Sequence, residues 1–202
     1  MKEKLPYIDA DLLRAALTLI SANDDPRPVT KAVHINSEFI ESTNGHALVR
    51  MKHNAEFYHD INVQFNEPVP DDAEFADIKV LDDGIYVAVY YREAEEEEFI
   101  PTARSVLATV SVPYPDLNFF LKSEFVEITM PPVSAKYLAL PYLMFGTSVV
   151  DVMCTEDRKT VLFTMGALTS EIFGDPQLIA MAVQPGYFDS CSTARDEVMG
   201  DE

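Results

Sequence analysis

From residue 57 to residue 115 no run shows helical spacing, and this constrains the chain more than any other feature. Residues 60–65, 78–81 and 85–91 alternate apolar and polar side chains with the two-residue period of a half-buried strand. Asp82-Asp83-Gly84 supplies a hairpin turn between the last two. Residues 106–112 read as a further strand, closed by Pro113-Tyr114-Pro115-Asp116. The acidic run at 93–98 predicts a solvated loop, because clustered like charges repel one another and resist burial.

Helices flank this β-rich middle. Asp9 can cap a helix over 10–22, with Leu12, Leu13, Ala16, Leu17 and Ile20 marking its apolar face. The run at 23–28, Asn-Asp-Asp-Pro-Arg-Pro, ends it. Strands are expected at 29–35 and 39–42. Asn44-Gly45 then signals a tight turn into another strand at 47–52. After the middle the order returns: a strand at 125–130, a helix at 133–145, and strands at 149–154, 161–165 and 178–183. Pro141 falls inside the second helical pattern and should kink it or split it. Two units thus share one order, strand, helix and antiparallel strands. The expected class is α+β, antiparallel sheets with two helices on one face. The expected organisation is an N-terminal module at 1–122, a C-terminal module at 123–187, and a polar, acidic, flexible tail at 188–202.

With 202 residues, 48% of them hydrophobic, the chain can bury a sizeable core without metal or disulfide staples. Its two cysteines, Cys154 and Cys191, are far apart and read as reduced thiols. No signal peptide is visible, and no run approaches the roughly 20 apolar residues of a membrane span, so the expected location is cytoplasmic. A formal net charge of −19 excludes a tight, sequence-reading DNA binder. It leaves room for a protein that encircles DNA loosely over a local positive lining. His34, His46, His53 and His59 lack metal-ligand spacing, and no nucleophile elbow, phosphate loop or dinucleotide fingerprint occurs. Neither an enzymatic reaction nor a cofactor is expected.

Three local motifs give the chain a family likeness. The first runs from the helix through Asp24, Asp25 and Arg27 and through Ala32-Val33-His34-Ile35 to Thr43-Asn44-Gly45-His46-Ala47-Leu48. The second is Tyr114-Pro115-Asp116, and the third is Ile179-Ala180-Met181-Ala182-Val183-Gln184. In their order and spacing they resemble the bacterial sliding clamp, the β subunit of the replicative DNA polymerase. The likeness is to a reduced, phage- or prophage-type version, and it is strongest at 12–48, 108–121 and 133–184.

The resemblance implies a DNA-clamp fold and a homo-oligomeric ring that encircles double-stranded DNA non-specifically. It also implies a surface pocket that holds a short linear motif of a polymerase or other replication or repair protein. Thr43, Gly45, His46 and Leu48 would line that pocket, with Phe120, Ile179 and Met181. His46 would be a wall and hydrogen-bond donor. As residues, His46 also suits a strand end, Ile179 and Met181 suit ordinary core, and Phe119 competes with Phe120 if the segment is extended. Asn44 stands where the family prefers aspartate, and Ala47 where it prefers arginine. Ala182 and Gln184 replace a proline and an arginine. Toward DNA the resemblance points to Arg14 and Lys136 on the helices, with Lys2, Lys4, Arg27 and Lys122 as further cations. Two other readings remain open from sequence: a clamp-fold adaptor or competitor without a ring, and a β-rich viral structural protein.

Overall fold

The computed structural model of the chain describes residues 6–21, 26–94, 98–126, 130–147 and 149–183. Strand β1 (Ile8–Asp9) leads directly into helix α1 (Ala10–Ser21). Asp9 accepts the Asp11 N–H at 2.8 Å, which satisfies one of the free donors of the first turn. The buried face of α1 is Leu12, Leu13, Ala15, Ala16 and Leu19, while Leu17 and Ile20 are only partly covered.

The strand expected at 29–35 is shorter. Pro28–Lys31 form a 3-10 turn, and β2 is Val33–Ile35. Pro28 fixes its own φ at the start of the turn, and the Thr30 hydroxyl donates to the Arg27 carbonyl at 2.9 Å. Then follow β3 (Phe39–Thr43), β4 (Ala47–Lys52), β5 (Ile61–Phe65), β6 (Phe75–Val80), β7 (Tyr86–Glu93) and β8 (Phe99–Thr109). β8 starts well before the expected 106. Pro101 conceals it in the sequence, and the structure accommodates that proline at a register shift beside Tyr91, where a ladder hydrogen bond is not needed. The centre of the acidic run, 95–97, lies outside the described residues, as does the tail beyond 183.

A one-turn helix, α2 (Asn118–Leu121), precedes β9 (Phe125–Val126). The second helical pattern is split at Pro141 into α3 (Ala135–Leu138) and α4 (Leu140–Phe145), and Gly146 ends it at φ +65°. The chain closes with β10 (Val150–Thr155), β11 (Thr160–Met165), α5 (Ala167–Ile172) and β12 (Gln177–Met181).

All strands among the described residues join one twelve-stranded sheet in the order β1-β6-β7-β8-β5-β2-β3-β4-β12-β11-β10-β9, and every pairing is antiparallel. Strands β1–β8 occupy one continuous part of it and β9–β12 the other. The seam between them is the β4–β12 pair, with Leu48 opposite Ile179 and Val49 opposite Leu178. On one face Val49, Leu178 and Phe163 enter the main core together with α1 and α4. Each such side chain contributes about 1.5–3 kcal/mol by leaving water. On the other face Leu48, Ile179 and Leu162 form a small separate cluster with Leu117, Tyr114 and Phe120.

Candidate functional site

The cleft begins at the turn between β3 and β4. Asn44 is buried, and its Oδ1 accepts the N–H groups of His46 at 3.0 Å and Ala47 at 2.9 Å. Its Nδ2 lies 3.5 Å from the Leu19 carbonyl of α1. An aspartate could accept the same two bonds but could not donate the third, and it would carry a charge into a buried position. Gly45 sits at φ +83°, a conformation that an L side chain would strain. Thr43 Oγ1 donates to the Ala47 carbonyl at 2.8 Å and closes the turn. Beyond it the Met181 N–H donates to the His46 carbonyl at 2.8 Å, which carries the β4–β12 ladder to the tip.

Antiparallel register brings the rest together. Thr43 opposes Leu48, Leu48 opposes Ile179, and Thr160 opposes Met181, all on the outer face. With Phe120 of α2 these residues, Gly45, His46 and Ala47 line one open cleft of about 40 Å³. Its floor is closed, with Leu48 5% and Ile179 2% exposed, while Met181 at the rim is 42% exposed. The His46 ring is exposed, and its centroid is 6.5 Å from that of Tyr137. The cleft is shallow and open, and the unbranched Met181 thioether at its rim can adopt several shapes.

All seven residues expected to form a pocket therefore line one surface feature. Thr160 and Ala47 join them unforeseen. Phe120 reaches the cleft because its segment is helical instead of extended: Asp116 Oδ1 accepts the Asn118 N–H at 2.9 Å and starts the turn. Phe119 points away and is 78% exposed. Ala182 donates its N–H to the Lys159 carbonyl at 2.8 Å, a bond that proline could not make. Gln184 lies outside the described residues.

The expected DNA-facing cations are dispersed. Arg14 is engaged: Nη1 donates to Asp11 at 2.6 Å, and Nη2 donates to the carbonyls of Pro70 and, at 2.6 Å, Ala73. Lys136 is exposed, with its ammonium 4.8 Å from the Tyr137 ring centroid. Lys122 is exposed in the turn after α2, and Lys2 and Lys4 lie outside the described residues. Among the described residues Arg14 and Lys136 are the two cations of the α-helices.

A buried polar group adjoins the cleft. Glu41, 3% exposed, pairs with Arg50 through Oε1 and with His34 Nδ1 through Oε2 at 2.7 Å. Burial alone would lower the His34 pKa; hydrogen bonds to Glu41 and to Asp60, at 2.9 Å, outweigh it and hold the value above the ordinary one. The His34 ring stacks on Tyr114, with centroids 4.8 Å apart. Burial, reinforced by the Glu41 charge, pushes the Tyr114 hydroxyl up. The other histidines are dispersed. His53 meets the Asn36 carbonyl at 2.8 Å, and His59 packs between Phe57 and Tyr86. Among the described residues no cluster of His, Cys, Asp or Glu could hold a metal ion, and no helix is long and apolar enough to cross a membrane.

The backbone matches solved structures. The DNA polymerase sliding clamp of Bacillus subtilis superposes with a TM-score of 0.54 at 13% identity, over 91% of this chain and 65% of that one. The DNA polymerase III subunit beta of Pseudomonas aeruginosa gives 0.53 at 13% identity, over 91% of this chain and 69% of that one. The fold is that of a bacterial sliding clamp. The chain spans 65% of the length of the Bacillus subtilis protein that it matches. No family model matches the sequence, and no curated protein matches it. The helical layer packed on the sheet is supplied here by α1 and the split pair α3 and α4.

Proposed function

We propose that the chain is a processivity factor of the sliding-clamp type, which tethers a replication or repair enzyme to DNA and catalyses no reaction itself. A short segment of the partner would seat one or two apolar side chains over Leu48 and Ile179, with Phe120, His46 and Met181 as walls. One observation carries this reading: a turn at 43–48, a helix at 118–121 and a strand at 177–181 contribute to a single apolar cleft on a clamp fold. Tethering acts through effective concentration, so an enzyme that lets go of its template remains beside it.

Replacing both Leu48 and Met181 by alanine should weaken a peptide with leucine and phenylalanine anchors by about 1–3 kcal/mol. Calorimetric titration of the folded double variant checks this, and unchanged affinity would remove the cleft from consideration.

A second reading, a clamp-fold adaptor that binds such peptides without forming a ring, is favoured by the engagement of Arg14 with Asp11, Pro70 and Ala73. That leaves Lys136 as the helices' phosphate contact, and a ring would multiply it only by the number of copies. Light scattering over a wide concentration range separates the two: a stable closed multimer favours the ring, a monomer throughout favours the adaptor.

A further inference from the structure

Helix α2 is a single turn, too short to persist by its own hydrogen bonds, yet it carries Phe120, one wall of the cleft. Two attachments hold its N-terminal end. One is apolar: Leu117, 3% exposed, is sunk in the small cluster with Leu48 and Ile179. The other is polar. Arg50 lies two residues beyond Leu48 on the same face of β4, and its Nη1 donates to Asn118 Oδ1 at 2.9 Å. The guanidinium is itself fixed from two sides. Its Nε donates to the buried Glu41 carboxylate, and its Cζ stands 4.8 Å from the centroid of the Phe39 ring. A carboxylate this deep is costly unless paired, and both Glu41 oxygens are engaged, the second by His34. A planar guanidinium can serve two acceptors in fixed directions, which an ammonium on a flexible stem does not do.

We propose that Arg50, oriented by Glu41, is a positioning residue for the cleft: through Asn118 it tethers α2 and holds Phe120 at the distance from the Leu48–Ile179 floor that grips an apolar peptide anchor. The proposal rests on the peptide-cleft reading above and adds to it a part of the machinery that touches no ligand. Without the tether Leu117 keeps its place in the cluster, but the turn can swing about it. The wall then loosens while the core is untouched.

The test uses the full chain with 4-fluorophenylalanine at position 120, observed by fluorine NMR, and a fluorescein-labelled hexapeptide with leucine and phenylalanine anchors. Asn118→Leu removes the acceptor, Asn118→Asp keeps one, and Arg50→Lys keeps the charge but not the fork. Asn118→Leu and Arg50→Lys should each weaken the peptide about tenfold and move the fluorine resonance of the free protein toward its value in unfolded chain. Asn118→Asp should leave both near wild type, and the melting midpoint of Asn118→Leu should stay within about 2 °C. An unmoved resonance in Asn118→Leu, or equal losses in Asn118→Leu and Asn118→Asp, would overturn the tether. If the wild-type chain binds no peptide, the cleft reading falls, and the fluorine resonances of the two Asn118 variants still decide whether the tether exists.

Discussion

On the inner face of the seam Val49, Leu178 and Phe163 stand opposite one another and sink into the main core with α1; one residue along each strand, on the outer face, Leu48, Ile179 and Leu162 do the same against a single turn of helix. The two rows are chemically alike. What differs is the cover. The inner row is closed by the twelve-residue α1 together with α4, whose buried side chains fill the space, and Val49 and Leu178 are 0% exposed. The outer row is closed by α2, Tyr114 and polar bonds, and the closure stops short of His46 and Met181. A sheet face can therefore be finished as core or left as a cleft without altering the strands beneath it. Stability and the proposed peptide binding should then be separable by mutation.

The largest effect is expected where both faces depend on one contact. Gly174 has φ +63°, its carbonyl accepts the Lys52 N–H at 2.8 Å, and a Cβ there would fall 1.7 Å from the Lys52 carbonyl oxygen. Gly174→Ala must push the end of β4 from the turn before β12, at a cost of about 4 kcal/mol or more. Urea denaturation should show the loss, and peptide binding should fail with it. Next comes the inner row alone. Leu178→Ala should cost about 2–5 kcal/mol of stability by leaving a cavity, while the peptide affinity of the folded fraction stays within about twofold. Met181→Ala should do the reverse, with under about 1 kcal/mol of stability lost and most of the effect in binding. If Leu178→Ala weakened the peptide as much as Met181→Ala, the two faces would not be independent.

The smallest effect concerns the polar closure of the outer face. Because the folded chain raises the His34 pKa, the charged ring is favoured in the fold. Its contribution is complete below the unfolded value of about 6.5. It is lost as pH rises through the higher folded value. The stability difference between wild type and His34→Gln should be on the order of 1 kcal/mol at pH of about 6 and shrink toward pH of about 9. A difference that grew with pH would show that the ring is held neutral between Glu41, Asp60 and Tyr114.

Much of the outer row can be read without coordinates. A hairpin centred on Asn44-Gly45 would put Glu41 opposite Leu48 and diagonal to Arg50. The observed turn centres on Gly45-His46 and sets Glu41 directly opposite Arg50, so the register was not legible but the charge pair was, as neighbours on one face. Its burial was not, because that depends on β2 and Tyr114 covering it from elsewhere in the chain. Phe120 shows the opposite case. The extended reading of 118–121 puts two phenylalanines on opposite faces, and one short bond from Asp116 turns the segment into helix and selects between them. β8 was half legible, since Pro101 masks a strand that the bulge beside Tyr91 accommodates.

What the sequence by itself determined is local: the cap at Asp9, the turn at Asn44-Gly45, the break at Pro141 and the alternation that gives the half-buried strands one apolar face. These follow from restricted dihedral angles and from bonds between near neighbours, which no distant residue need supply. Only the tertiary structure decided that β4 pairs with β12, that Thr160 opposes Met181, and that Arg50 reaches Asn118. Backbone hydrogen bonds carry no side-chain identity, so the choice of partner strand rests on which faces are covered and on a close approach such as that of Gly174 to Lys52.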